Sequence, residues 1–177
     1  GSMKASNKLP LLKRGMRLLA RQMRPSDRVA IVTYAGSARV ALPPTSGAER
    51  DTIEAAIESL EAGGRTNGAG GNQLAYDRAL QNADAVSIDR VVLATDGDFN
   101  VGISDRDELI ALIERKRDAG VFLSVLGFGT GNLKDATLEA LGRHGNGNYS
   151  YVDSIAEARR VLVEQSGATL VTVAKDV

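Results

Sequence analysis

The sequence contains no cysteine, which excludes disulfide bracing and thiol chemistry and fits a cytosolic or a bacterial envelope setting equally. Aromatic residues are scarce, at 4% with no tryptophan, so a core has to be built from Val, Ile, Leu and Ala. Neither sign of charge is in excess, since 22 Lys and Arg face 22 Asp and Glu. That balance, with no basic block, argues against nucleic acid or an anionic lipid surface as partner. No apolar run approaches the length of a membrane span, so no direct membrane insertion is expected. The first residues do not read as a signal peptide, although a signal could precede them.

What is present is an alternation of short apolar runs and helix-periodic segments. Leu12, Met16, Leu19 and Met23 recur at helical spacing and predict an amphipathic helix from about residue 9 to 23, stopped by Pro25. Val29 to Tyr34 is a continuous apolar run, the pattern of a strand buried on both faces. Arg39 to Leu42 reads as an edge strand ended by Pro43 and Pro44. Ile53, Ile57 and Leu60 mark a second helix, and Tyr76, Leu80 and Ala83 a third. Val91 to Ala94 and Val121 to Phe128 are further buried strands, and Tyr149 to Val152 another. Ser104 with Asp107 forms a capping box before a helix holding Leu109, Leu112 and Ile113. A short helix is expected around Leu138 and Leu141, and Ser154 is expected to cap a last long helix holding Ile155, Ala158 and Leu162. This β-α alternation predicts a doubly wound α/β fold, a mainly parallel sheet with helices on both faces. Residues 1–167 form one such domain, and 168–177, with Leu170 to Val173, a C-terminal strand or the start of a connection.

In open α/β sheets ligands bind at the carboxyl ends of the strands, so the residues that follow strands directly are the candidates. Thr95-Asp96-Gly97-Asp98 is one: a carboxylate at a strand end can reach a metal or a substrate, or simply cap a turn. The Asp96, Asp98 spacing also fits an aspartyl phosphatase with Asp96 as nucleophile, but Asn100 departs from that pattern. The Gly63–Gly71 loop lacks the lysine of a P-loop but carries a hydroxyl, Thr66, just before a helix. Gly127-Phe128-Gly129-Thr130-Gly131 lacks dinucleotide-fingerprint spacing and reads as a glycine turn. His144, the single histidine, reads as an exposed loop side chain.

Together these segments resemble a von Willebrand factor type A (vWA) domain of the kind carried by bacterial envelope proteins. The matching stretches are Asn7-Lys8-Leu9-Pro10-Leu11-Leu12-Lys13, residues 27–36, Gly63-Gly64-Arg65-Thr66-Asn67-Gly68, residues 94–102, Gly127-Phe128-Gly129 and Gly145-Asn146-Gly147-Asn148-Tyr149. The resemblance implies a metal-ion-dependent adhesion site (MIDAS), made of an Asp-x-Ser-x-Ser loop, a Thr and a second Asp. Carried over by position, Thr66 is the threonine and Asp96 the second aspartate, while Gly1-Ser2-Met3 matches the tail of the first motif and makes Ser2 its last serine. A cloning scar is the other origin for Gly1-Ser2-Met3, but the spacing to Asn7-Lys8-Leu9-Pro10 favours native sequence. The first Asp and first Ser of the motif, and the central strand that carries them, are not in the sequence. The expectation is therefore a gap or rearrangement between the strands at Val29 and Val91, or a filler such as Leu170 to Val173.

Hydroxyl and carboxylate oxygens are hard ligands that suit Mg²⁺ or Mn²⁺. The expected function is a non-catalytic module in which Ser2, Thr66 and Asp96 hold the ion. Its partner contributes a carboxylate and meets Asn67, Gly97 and Asp98. With part of the motif missing, the expected metal binding is weak or absent.

Overall fold

The computed structural model describes residues 2–34, 37–63, 68–82, 88–96, 106–128 and 135–165. A 3-10 turn, Ser2–Lys4, leads into α1, Leu9–Gln22. Pro10 lies in the first turn of α1, where its missing N–H has no helical acceptor to forgo. Met23 is already extended, so the helix stops ahead of Pro25 as the sequence predicts.

β1, Arg28–Thr33, and β2, Arg39–Ser46, pair antiparallel. The sequence places the end of β2 at Pro43, yet the strand runs through both prolines. The register gives the reason. Ile31 faces Leu42 and Val29 faces Thr45, so Ala30 alone stands opposite Pro43 and Pro44. A bulge there accommodates two residues that cannot donate to a ladder.

After α2, Arg50–Glu58, and α3, Gly68–Asn82, the chain enters β3, Asp89–Thr95. Then follow α4, Arg106–Asp118, β4, Val121–Phe128, α5, Asp135–His144, β5, Tyr149–Val152, and α6, Ile155–Arg159, which continues as a π-helical turn over Arg160–Gln165. Ser154 caps α6, its hydroxyl accepting the Glu157 backbone N–H at 3.2 Å. The capping Ser104, Ala83 of the third helix and Leu170 to Val173 lie outside the described residues.

β3, β4 and β5 form a parallel sheet in that order, with Leu93 beside Val125 and Leu126 beside Ser150. The architecture is the doubly wound α/β arrangement the alternation predicts, with one departure. Among the described residues, β1 and β3 share no ladder, and the strands fall into two separate sheets. Within the described residues this matches the gap expected between the Val29 and Val91 strands, while the filler weighed for that place, Leu170 to Val173, lies outside them.

Helices close over that gap from both faces. α1 contributes Leu11 and Leu12 to a core with Leu126, Phe128, Val152 and Leu162, and Ala20 to a core with Ile31, Leu42, Ile53 and Ile57. α3 packs against β1, β2 and β3 together, and its Tyr76 joins Val91, Leu93, Leu123 and Val125. The gap leaves marks on the strands beside it. The Val29–Tyr34 run, predicted to be buried on both faces, has only Ile31 fully buried, and Ala30 is exposed. Val92, in the middle of β3, is 43% exposed. A strand with a neighbour on one edge only loses the side chains that would cover its faces from the other edge. On α3, the buried Asn72 Nδ2 and Tyr76 hydroxyl have no hydrogen-bond partner among the described residues. Both belong to the helix that crosses the gap, and each orphan costs desolvation that a partner would return.

Candidate metal centre

Asp96 follows β3 directly, at the carboxyl edge of the parallel sheet. Its side chain is only 5% exposed, which for a carboxylate requires compensation. Compensation comes from the other end of the sequence: the Lys8 ammonium donates to Asp96 Oδ2 at 3.0 Å. Lys8 stands immediately ahead of α1, held by its own N–H to the Ala5 carbonyl at 3.0 Å and by its carbonyl, which accepts the Leu12 N–H at 2.9 Å. α1 is in turn fixed by Leu11 and Leu12 in the core, so the lysine is delivered by the start of an anchored helix.

The segment ahead of Lys8 belongs to the same edge. Met3, in the 3-10 turn that also holds Ser2, packs against the cluster of Phe128 and Val152, the last residues of β4 and β5. On the other side of Asp96 stands Tyr34, just past β1. Its hydroxyl donates to the Ala94 carbonyl at 2.6 Å and so links the two sheets near Asp96. Burial pushes the Tyr34 pKa up to about 12; a hydrogen bond with Thr95 opposes the rise and the Asp96 charge adds to it. Gly71 of α3 lies against the Tyr34 ring, where a Cβ would come within 2.6 Å of the tyrosine Cβ. Glycine at this position is what lets the first turn of α3 approach the end of β1.

Of the residues singled out in the sequence, Asp96 and the turn containing Ser2 are thus brought to one edge. Thr66, Asn67, Gly97 and Asp98 lie outside the described residues, as does Asn100 of the phosphatase pattern. The described chain resumes at Gly68, the start of α3, whose Gly71 lies against Tyr34. Lys8 escapes sequence reasoning because its partner is 88 positions away and no local spacing connects them.

Two weaker candidates resolve differently. His144 is not a loop side chain but the last residue of α5, part-buried, with Nδ1 2.7 Å from Glu114 Oε1 of α4. Gly127 belongs to β4 and lies under the Tyr149 ring, a packing role, while Gly129 to Gly131 lie outside the described residues.

The donor chemistry at Asp96 fits a hard cation. The carboxylate oxygen is at a strand end, shielded from water, and already holds a positive group at hydrogen-bond distance. Among the described residues no three His, Cys, Asp or Glu side chains gather around a point that could hold an ion.

The comparisons with known proteins agree with the doubly wound fold. The von Willebrand factor type A domain family matches residues 1–165. The chain is 46% identical over its 177 residues to an uncharacterized protein of Escherichia coli K12, YfbK, and spans 31% of that protein's length. In fold it is similar to an aerotolerance-related membrane protein from Bacteroides fragilis, at 22% identity and a TM-score of 0.78 over 94% of each chain. It is also similar to proximal thread matrix protein 1 from the mussel byssus with a zinc-occupied MIDAS motif, at 22% identity and a TM-score of 0.65 over 93% of this chain and 41% of that one. With the family matching over nearly its whole length and the doubly wound fold in place, the chain belongs to the von Willebrand factor type A domain family.

Proposed function

We propose that this chain is a protein-binding module that engages an acidic side chain of a partner through a divalent ion, Mg²⁺ or Mn²⁺. Ser2, Thr66 and Asp96 would hold the ion, and Asn67, Gly97 and Asp98 would meet the partner. The observation that carries the reading is the Asp96 carboxylate, shielded at the carboxyl edge of the sheet and holding a cationic group at 3.0 Å. When bound, the ion supplies an open coordination position for a carboxylate oxygen. The chain's own residues do the remainder. Asp96 contributes charge from a rigid strand end, and the hydroxyls of Ser2 and Thr66 contribute oxygens without adding negative charge. The fold and the matched family support the reading, as does the zinc-occupied motif of the mussel protein.

The rival reading makes Asp96 the nucleophile of a phosphatase. Asn100 departs from the residue that pattern carries after its second aspartate, which weighs against this reading. A location in the bacterial envelope belongs to the same proposal, supported by the membrane protein of B. fragilis that shares the fold. No helix among the described residues is long and apolar enough to cross a membrane. The balance of 22 basic and 22 acidic residues supports a protein rather than a nucleic acid as partner.

Calorimetric titration of Mn²⁺ into the chain and into Asp96→Ala tests the proposal. Binding is expected in the parent and none in the variant. Equal binding in both would remove Asp96 from the site. Turnover of a chromogenic phosphate ester with Mg²⁺, lost in Asp96→Ala, would favour the phosphatase instead.

A further inference from the structure

We propose that Lys8 is a tethered counter-cation for Asp96 that a divalent ion has to displace. Metal affinity at this edge is then set by competition with a residue of the same chain. The inference rests on the metal reading above and adds its regulation. Three observations carry it. The Lys8 ammonium is 3.0 Å from Asp96 Oδ2, one of the two oxygens that Asp96 can offer a metal. The two ends of the pair differ in burial: the carboxylate is 5% exposed and the lysine side chain 22%. The lysine backbone is fixed by hydrogen bonds to Ala5 and Leu12 at the start of an anchored helix, so the ammonium returns to the same place whenever it is released.

The exchange follows from charge and reach. A hard divalent ion coordinates carboxylate oxygen at about 2.1 Å, well inside the lysine's hydrogen-bond distance, and the two cations repel at such separations. That repulsion favours an outward swing of Lys8 as an ion enters, and its four-carbon stem, already reaching solvent, permits it. In the metal-free chain the same lysine places a cation beside a shielded carboxylate. The pair thus keeps the empty edge stable and raises the ion concentration at which a partner can be engaged. A purely structural ion pair would stabilise the fold equally but would leave metal affinity untouched.

The decisive experiment counts free Mn²⁺ by electron paramagnetic resonance during titration of the 177-residue chain and four variants. The variants are Lys8→Met and Lys8→Gln, which remove the charge, Lys8→Arg, which keeps it, and Asp96→Asn. The expected result is a Kd at least tenfold lower in Lys8→Met and Lys8→Gln than in the parent, little change in Lys8→Arg, and loss of binding with Asp96→Asn. Without metal, Lys8→Met is expected to melt several degrees lower than the parent, and Mn²⁺ to restore the difference. If the neutral variants bind Mn²⁺ no better than the parent while Asp96→Asn abolishes binding, the metal reading stands and the competition is overturned. If none of the chains binds Mn²⁺, or Asp96→Asn binds like the parent, both readings fall.

Discussion

The two sheets are made of similar residues and bury them differently. In the parallel sheet, β4 has neighbours on both edges and helices on both faces, and Leu123, Val125, Leu126 and Phe128 are all inaccessible to solvent or nearly so. In the antiparallel pair, β1 carries an equally apolar run, Val29 to Val32, yet only Ile31 is fully buried. Composition alone does not separate them; the number of edges paired among the described residues does. β3 shows both conditions in one strand, with Val91 and Leu93 buried under α3 and α4 while Val92, on the opposite face, is 43% exposed. Burial on both faces of a central strand depends on the strand beside it as much as on the helices above and below.

The largest effect that sharpens this contrast comes from core truncation. Leu123→Ala in β4 should cost about 4–5 kcal/mol, because its surroundings are fixed on every side, and Ile31→Ala in β1 about 2–3 kcal/mol, because the site can relax toward the gap. Chemical denaturation of both variants measures the difference, and equal losses would mean the two sheets are equally well packed.

Next in size is filling the gap. Extending the chain at its amino terminus by a strand that ends in Asp-x-Ser should raise stability by more than about 2 kcal/mol through apolar burial and restored pairing. The same extension should tighten Mn²⁺ binding. In the extended chain Val92→Thr should become costly, whereas in the present chain, with Val92 exposed, it should fall within about 0.5 kcal/mol of neutral. A thermal melt that moves in neither comparison would mean that the space between β1 and β3 does not accept a strand.

The tyrosine linking the two sheets gives a smaller, pH-dependent effect. Tyr34 ionises near pH 12 in the folded chain against about 10 in the unfolded one. Between those values the unfolded state loses its proton first, so stability falls as pH rises from about 10 to 12. The contribution is on the order of 1–2 kcal/mol, since Tyr34 is part-buried. Tyr34→Phe should cost about 1 kcal/mol near neutral pH through the lost bond to Ala94, and should make the alkaline loss of stability shallower than in the parent. Parallel alkaline slopes in the two proteins would place the titration elsewhere.

Much of this molecule is legible in the sequence because local chemistry writes it. The periodic Leu12, Met16 and Leu19 give α1, the unbroken Val121 to Phe128 gives β4, and Ser154 gives the start of α6. Asp96 stands out because a strand run ends at it. What the sequence conceals is non-local. The bulge at Pro43 and Pro44 is visible only once Ala30 is known to lie opposite, and His144 finds Glu114 only when α4 and α5 are packed together. The Lys8–Asp96 pair is the clearest instance. Nothing in either motif announces it, since the lysine sits among residues that read as the start of a helix and the aspartate among residues that read as the end of a strand.

A crystal structure of the chain soaked in Mn²⁺, with anomalous scattering to locate the ion, tests whether Asp96 holds a metal. The expected result is an anomalous peak about 2.1 Å from an Asp96 carboxylate oxygen and from the Thr66 hydroxyl, with the Lys8 ammonium displaced outward. An Asp96 still paired to Lys8 with no peak beside it, or a Thr66 on the opposite edge of the sheet, would contradict it.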